Sequence, residues 1–177
     1  ERDDARLYIR TGAGLLEAWR DPVTPAHYAV DMGPARGAWQ DIPLAREYDT
    51  NHLPLARGPL TDPVGVNMGN PHAIFFVEEL AAVPIESLGP ELEHDPIFPE
   101  RANIGVAQLI GQNQLRLRVW ERGAGLTQAC GSGACAAAVA AHRRGLTGRS
   151  VRIEVDGGTL ELEWCSNNHV IMSGPAA

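Results

Sequence analysis

A unit of strand, small-residue turn, strand and third strand stands at both ends of the chain, and it constrains the fold more than any other feature. At the start, Leu7-Tyr8-Ile9-Arg10-Thr11 leads through Gly12-Ala13-Gly14 to Leu15-Leu16-Glu17-Ala18-Trp19, and a third run ends at Val30-Asp31-Met32-Gly33-Pro34-Ala35. Near the other end, Val151-Arg152-Ile153-Glu154-Val155 leads through Asp156-Gly157-Gly158 to Leu160-Glu161-Leu162-Glu163-Trp164, and then to Val170-Ile171-Met172-Ser173-Gly174-Pro175-Ala176. Short alternating runs split by glycine turns read as hairpins. Two copies of one unit are the simplest account, with two unrelated meanders of similar turn chemistry as the competing one. On the repeat reading, the second copy is whole from about Val64 onward, whereas the first has only its final strands. Residues 1–35 are then the terminal strands of an N-terminal half, and residues 36–177 a C-terminal half. Its opening stretch, 36–63, is rich in Pro and Arg without clear periodicity and reads as a connector of surface loops.

The chain has 177 residues and a formal net charge of −7, with its acids scattered and no basic stripe interleaved with aromatics. Nucleic acid is not an expected partner. The longest apolar stretch, around Ala134 to Ala141, falls far short of the roughly 20 residues of a membrane span, and no signal segment opens the chain. A cytoplasmic protein without a membrane partner is expected. The three cysteines, Cys130, Cys135 and Cys165, lack both zinc-site spacing and the even count of a disulfide framework, so free thiols and no metal are expected. Lysine is absent, which removes the Schiff-base residue that pyridoxal phosphate requires.

Between Leu115 and Gly145 the order reads strand, loop, helix. Leu115 to Trp120 alternate, Glu121 to Gly133 form a glycine-rich loop, and Ala134 to His142 are mostly strong helix formers. Ser132 suits the N-cap, Arg143 and Arg144 suit the negative end of the helix, and Gly145 can terminate it. Cys130 thus falls just before a helix N-terminus, where free N–H groups and the positive dipole end favour a thiolate and bring its pKa toward neutrality. The open backbone of Gly131, Ser132 and Gly133 could hold a carboxylate with the same donors. A small buried cysteine beside a glycine turn is the plainer alternative, and it is the better reading for Cys135 and Cys165.

Upstream, Asn70 and His72 fall in a polar interruption before the strand-like Ala73 to Val77, a loop position from which side chains can reach a site. Asn103 follows Phe98-Pro99-Glu100-Arg101-Ala102, and Glu121-Arg122 closes a strand. Turn chemistry and a solvated ion pair account for these residues equally well when each is taken alone.

Together, Gly69-Asn70-Pro71-His72, Phe98-Pro99 with Asn103, Trp120-Glu121-Arg122-Gly123 and Ala129-Cys130-Gly131-Ser132-Gly133-Ala134 resemble the C-terminal half of diaminopimelate epimerase. The resemblance implies an α+β fold of two pseudo-symmetric halves, each of mixed and antiparallel sheet around a central helix, with the site in the cleft between them. It also implies interconversion of LL- and meso-diaminopimelate, in lysine and peptidoglycan precursor synthesis, by two cysteines and without metal or pyridoxal phosphate. By resemblance Cys130 is the catalytic thiol of this half, and Gly131 with Ser132 binds the α-carboxylate. Asn70, Asn103, Glu121 and Arg122 match substrate-binding positions, and His72 and Glu121 match positions that tune the thiols. Ser132, Leu126 and Val106 depart from the family's commoner Thr, acid and aromatic. The partners implied are diaminopimelate, the N-terminal half and a second copy in a homodimer.

Related readings are a racemase or isomerase of the same fold, a non-catalytic binding domain, or a thiol sensor built on Cys130. Inversion needs a base on one face of the α-carbon and a proton donor on the other, because one base returning its proton to the same face restores the starting configuration. Cys130 precedes Ile153 by 23 residues, so the second thiol is expected about 23 residues before Ile9, upstream of Glu1. These residues by themselves are therefore expected not to epimerise diaminopimelate; full turnover by a purified sample free of contaminating enzyme would overturn that expectation.

Overall fold

The structure, a computed structural model, describes residues 6–11, 14–22, 24 and 26–175. The turn residues Gly12 and Ala13, the opening charged run 1–5 and the terminal Ala176 lie outside them. The N-terminal strands are β1 (Leu7–Thr11), β2 (Gly14–Arg20) and β3 (His27–Pro34). A short hairpin follows, β4 (Ala56–Arg57) and β5 (Leu60–Thr61), then β6 (Val64–Asn67), β7 (Pro71–Val77) and helix α1 (Ile85–Glu93). The remainder is β8 (Asn103–Gly111), β9 (Gln114–Glu121), β10 (Gly125–Thr127), helix α2 (Gly131–Arg143), β11 (Ser150–Val155), β12 (Gly158–Trp164) and β13 (His169–Pro175).

The main sheet runs β1-β2-β3-β13-β12-β11-β9-β8-β7-β6, with β10 paired to β9. Its first six strands read the same from either end: two antiparallel meanders meet where β3 pairs β13 antiparallel. Equivalent positions pair in equivalent ways, Ile9 opposite Leu16 and Ile153 opposite Leu160. Their surroundings differ. Ile153 is fully buried over α2, whereas Ile9 is half exposed, as are Leu7, Tyr8 and Leu15.

Helix α2 touches β6, β7, β8 and β9 as well as β11, β12 and β13. Strands far apart in the sheet order can reach one helix only if the sheet curls around it. The residues Gly133 to Ala141 are accordingly all buried, and alanine is what permits so close an approach. The fold is thus the expected α+β class, mixed sheet around a central helix. The helix begins earlier than its strong formers, at Gly131, and ends in a glycine cap: Gly145 takes a positive φ of 69° while Leu146 N–H donates to Ala141 O at 2.9 Å.

The connector departs from expectation. Ile42, Leu44, Leu53, Leu55 and Leu60 are buried and form, with Phe75, Ile104, Val106 and Leu92, a second core on the outer side of β7 and β8. Arginines from the end of α2 fasten it: Arg143 donates to Gly65 O and Thr50 Oγ1, both at 2.9 Å, and Arg144 to Asn51 O at 2.8 Å. The segment lacks periodicity because turns and irregular stretches, with one two-residue strand at Leu60, carry its apolar residues inward, so no sequence pattern marks it as core.

Helix α1 lies against Trp120 of β9 through Gly89, where an added Cβ would meet Trp120 Cγ at 2.5 Å. Glycine in a helix interior costs roughly 0.5–1 kcal/mol relative to alanine. The steric conflict outweighs that gain, so Gly89→Ala should destabilise the fold by about 1–3 kcal/mol. A urea titration showing equal or higher stability for Gly89→Ala would refute this packing.

Candidate active site

The first turn of α2 is met by side chains from four strands. Cys130, not the expected Ser132, is the N-cap: its backbone is extended and its Sγ accepts the Gly133 N–H at 3.3 Å. Gly133 is required there, since a Cβ would lie 2.9 Å from Val119 Cγ2 and 3.2 Å from Cys130 Sγ. Gly131 lies under Met172 and Met32, with Met172 Cε 3.2 Å from where a Cβ would stand. Both methionines come from β13 and β3, the pair of strands that joins the two meanders.

Ser132, displaced from the cap, links the thiol to a buried imidazole. Its Oγ lies 3.6 Å from Cys130 Sγ and 3.1 Å from His72 Nε2, which in turn is 2.9 Å from Asn70 Oδ1. An amide oxygen only accepts, so Nε2 carries the proton and donates it toward Asn70 and Ser132. The Ser132 hydroxyl is left free to donate to sulfur. His72 is not a loop residue as expected but the second residue of β7, with no exposed surface, and its Nδ1 has no partner. Burial, with the Arg122 guanidinium nearby, pushes its pKa down to about 3.

Asn103 opens β8 and is buried. Its Nδ2 donates to Pro71 O at 3.1 Å, and its Oδ1 accepts the Arg122 backbone N–H at 2.7 Å. The Arg122 guanidinium donates to Glu100 O at 2.9 Å. Glu121, at the end of β9, accepts the Thr127 hydroxyl at 2.6 Å and faces the Cys130 thiol. Leu126 pairs opposite Trp120 and packs on the outer core, where Val106 is fully buried.

The thiol itself departs from expectation. Burial pushes Cys130 above the ordinary cysteine range, and the Glu121 carboxylate adds to that; the Ser132 hydroxyl and the Gly133 N–H pull the other way without prevailing. With 7% exposure, the cost of an ion away from water exceeds what the helix end returns. Cys135, one turn on, is wholly buried and raised further, and stays a packing residue.

Of the eight residues singled out from sequence, Cys130, Gly131, Ser132, His72 and Asn70 are gathered at the α2 N-terminus, Glu121 faces the thiol, and Asn103 holds the backbone of Arg122. Thr127, which holds Glu121, and Met32 and Met172, which cover Gly131, were missed. Thr127 acts across the β9–β10 hairpin, and the two methionines act through contacts with a helix residue far away in the chain, which no local pattern announces. A cavity of about 650 Å³ opens beside this region, lined by Met32, Gly69, Asp31 and His169 among others.

Solved structures share this fold. A phenazine biosynthesis protein of the PhzF family from Bacillus anthracis matches with a TM-score of 0.64 at 14% identity, over 98% of this chain and 66% of that one. A probable proline racemase from Agrobacterium radiobacter matches with 0.62 at 12%, over 99% and 59%. The molecule is thus in the fold class of proline racemases and phenazine-biosynthesis proteins. Sequence narrows the class: the diaminopimelate epimerase profile matches residues 64–177, and diaminopimelate epimerases from Acidiphilium cryptum and Rhodospirillum centenum are 58% and 53% identical over 172 and 173 residues. Those matches cover 97% and 98% of this chain. The chain belongs to the diaminopimelate epimerase family. It spans about three fifths of the length of these relatives, 61% and 59%. Among the described residues no helix is long and apolar enough to cross a membrane.

His72 gives a pH prediction. Unfolded, it binds a proton below about 6.5; folded, only below about 3. Between those values the unfolded state holds more protons, so stability falls as pH falls. The urea midpoint should drop more steeply from pH 7 to pH 4 for the native protein than for His72→Gln; parallel curves would show that His72 is not buried neutral.

Proposed function

We propose that this chain is the Cys130-bearing half of a two-cysteine epimerase that interconverts LL- and meso-diaminopimelate without metal or pyridoxal phosphate. The observation that carries the reading is the buried thiol at the α2 N-terminus, with a carboxylate facing it and hydroxyl and amide donors directed at it.

Raised by burial, Cys130 rests as a thiol, the form that delivers a proton to the α-carbon. The thiolate left behind is stabilised by the Gly133 N–H and the Ser132 hydroxyl. In the reverse direction the Glu121 carboxylate takes the thiol proton, and Cys130 becomes the base. The α-carboxylate is held at Gly131 and Ser132 by free N–H groups of the helix end. That interaction grows in importance as carbanion charge spreads onto the carboxylate in the transition state. Arg122 pairs with the distal carboxylate, while Asn70 and Asn103 read the distal head. Desolvation strengthens each contact as the cleft closes.

The second thiol belongs on the opposite face of the α-carbon. In this reading it comes from the N-terminal half, whose last strands are residues 1–35, while residues 36–177 form the C-terminal half. The enzyme acts in the cytoplasm as a homodimer, and lysine and peptidoglycan precursor synthesis use its product. Relatives at 53–58% identity favour this branch over a proline racemase, which shares the fold alone.

In the protein carrying both halves, Cys130→Ser should cut interconversion by at least about a hundredfold, the scale of a lost general acid or base. The reaction run in D2O, with chiral chromatography and α-deuterium counting, checks it. Near-native turnover by Cys130→Ser would end the two-thiol reading.

A further inference from the structure

Glu93 ends α1, has no part in the chemistry above, and is 3% exposed. That placement is unfavourable twice over, because the carboxylate leaves water and lies at the negative end of its own helix. Three donors offset it. Oε2 accepts the Trp120 indole N–H at 2.8 Å, Oε1 accepts the Gly123 backbone N–H at 3.1 Å, and Arg101 Nη1 lies 3.7 Å from Oε1.

Trp120 and Gly123 flank Glu121 and Arg122 in the chain. One carboxylate therefore holds the side chain immediately before, and the backbone immediately after, the two residues that the reading above assigns to substrate. The turn between them is closed by Ala124 N–H donating to Glu121 O at 3.1 Å, and it needs the positive φ of 76° that Gly123 supplies. On its other side Arg122 N–H goes to Asn103. Every N–H from Arg122 to Ala124 is thus committed, to Asn103, Glu93 and Glu121 in order. Gly89 completes the support by letting α1 press on the Trp120 ring whose N–H Glu93 holds.

We infer that Glu93 is a positioning residue for recognition of the substrate's distal head: its carboxylate fixes the Arg122–Gly123 turn so that Arg122 is presented in one geometry. This rests on the proposed epimerase reading of Arg122. Glu121 is held separately, by pairing with Gly125 across β9 and β10 and by the Thr127 hydroxyl. Loss of the Glu93 grip should therefore disturb Arg122 more than the Glu121 and Cys130 pair, which separates binding from proton transfer.

The test is Glu93→Gln in the protein carrying both halves. The amide accepts one of the two N–H groups and turns its NH2 on the other, leaving a buried donor unpaired. The KM for diaminopimelate should rise about tenfold while kcat stays within about threefold and its pH profile stays in place. Trp120→Phe keeps the ring against Gly89 and removes one donor; its KM should rise about threefold, and it decides the matter if Glu93→Gln does not fold. Unchanged KM in the folded variants, or kcat falling as far as KM rises, overturns the inference and leaves Glu93 a fold support. A native protein with no diaminopimelate turnover at all defeats the epimerase reading first, and this inference with it.

Discussion

Everything in this molecule follows from burying α2 on all sides. A helix against a flat sheet hides one stripe, and its other face must be polar or covered by something else. Here nine consecutive residues, Gly133 to Ala141, are buried, and strands from β6 to β13 supply the cover by curling. Alanine makes this possible because larger side chains would hold the strands away. The ends of the helix are less enclosed than its middle, with Gly131, Ser132, His142 and Arg143 half-buried. They surface at the two mouths of the curled sheet, and both mouths carry specific chemistry.

At the N-terminal mouth two effects on Cys130 compete, and magnitudes decide between them. A helix end contributes typically 0.3–1 kcal/mol toward a nearby anion, whereas taking an ion out of water costs several kcal/mol. Burial prevails and the thiol rests protonated. The same dryness keeps His72 neutral and makes the chain from Asn70 through His72 and Ser132 to sulfur a set of directed hydrogen bonds, not of charges. At the C-terminal mouth, Arg143 donates to Gly65 O of β6 and to Thr50 Oγ1, and Arg144 donates to Asn51 O, which is how the largely irregular segment before β6 is attached to the central helix.

Much of this was legible in the chain. The glycine turns and alternating strands at both ends announced two meanders, and the Ala-rich run after Cys130-Gly131-Ser132-Gly133 announced a helix with a thiol at its start. Residues 36–63 were read as surface because their apolar side chains follow no period; turns bring Ile42 and Leu53 inward, and turns leave no repeating mark. Ser132 was read as the cap on propensity alone, yet Cys130 takes that place and frees the hydroxyl for His72. His72 was read as a loop residue, since nothing in the sequence says that β7 begins at Pro71.

The sequence by itself determined the two terminal meanders and the strand, loop and helix that place Cys130 at a helix start, because turns, caps and alternation are local and act within a few positions. Only the tertiary structure decided the protonation of the thiol, the partners of Ser132 and the burial of Glu93 beneath the Glu121–Gly123 turn. Those depend on distance from water and on contacts between strands far apart in the chain, and neither quantity exists until the sheet has closed around the helix.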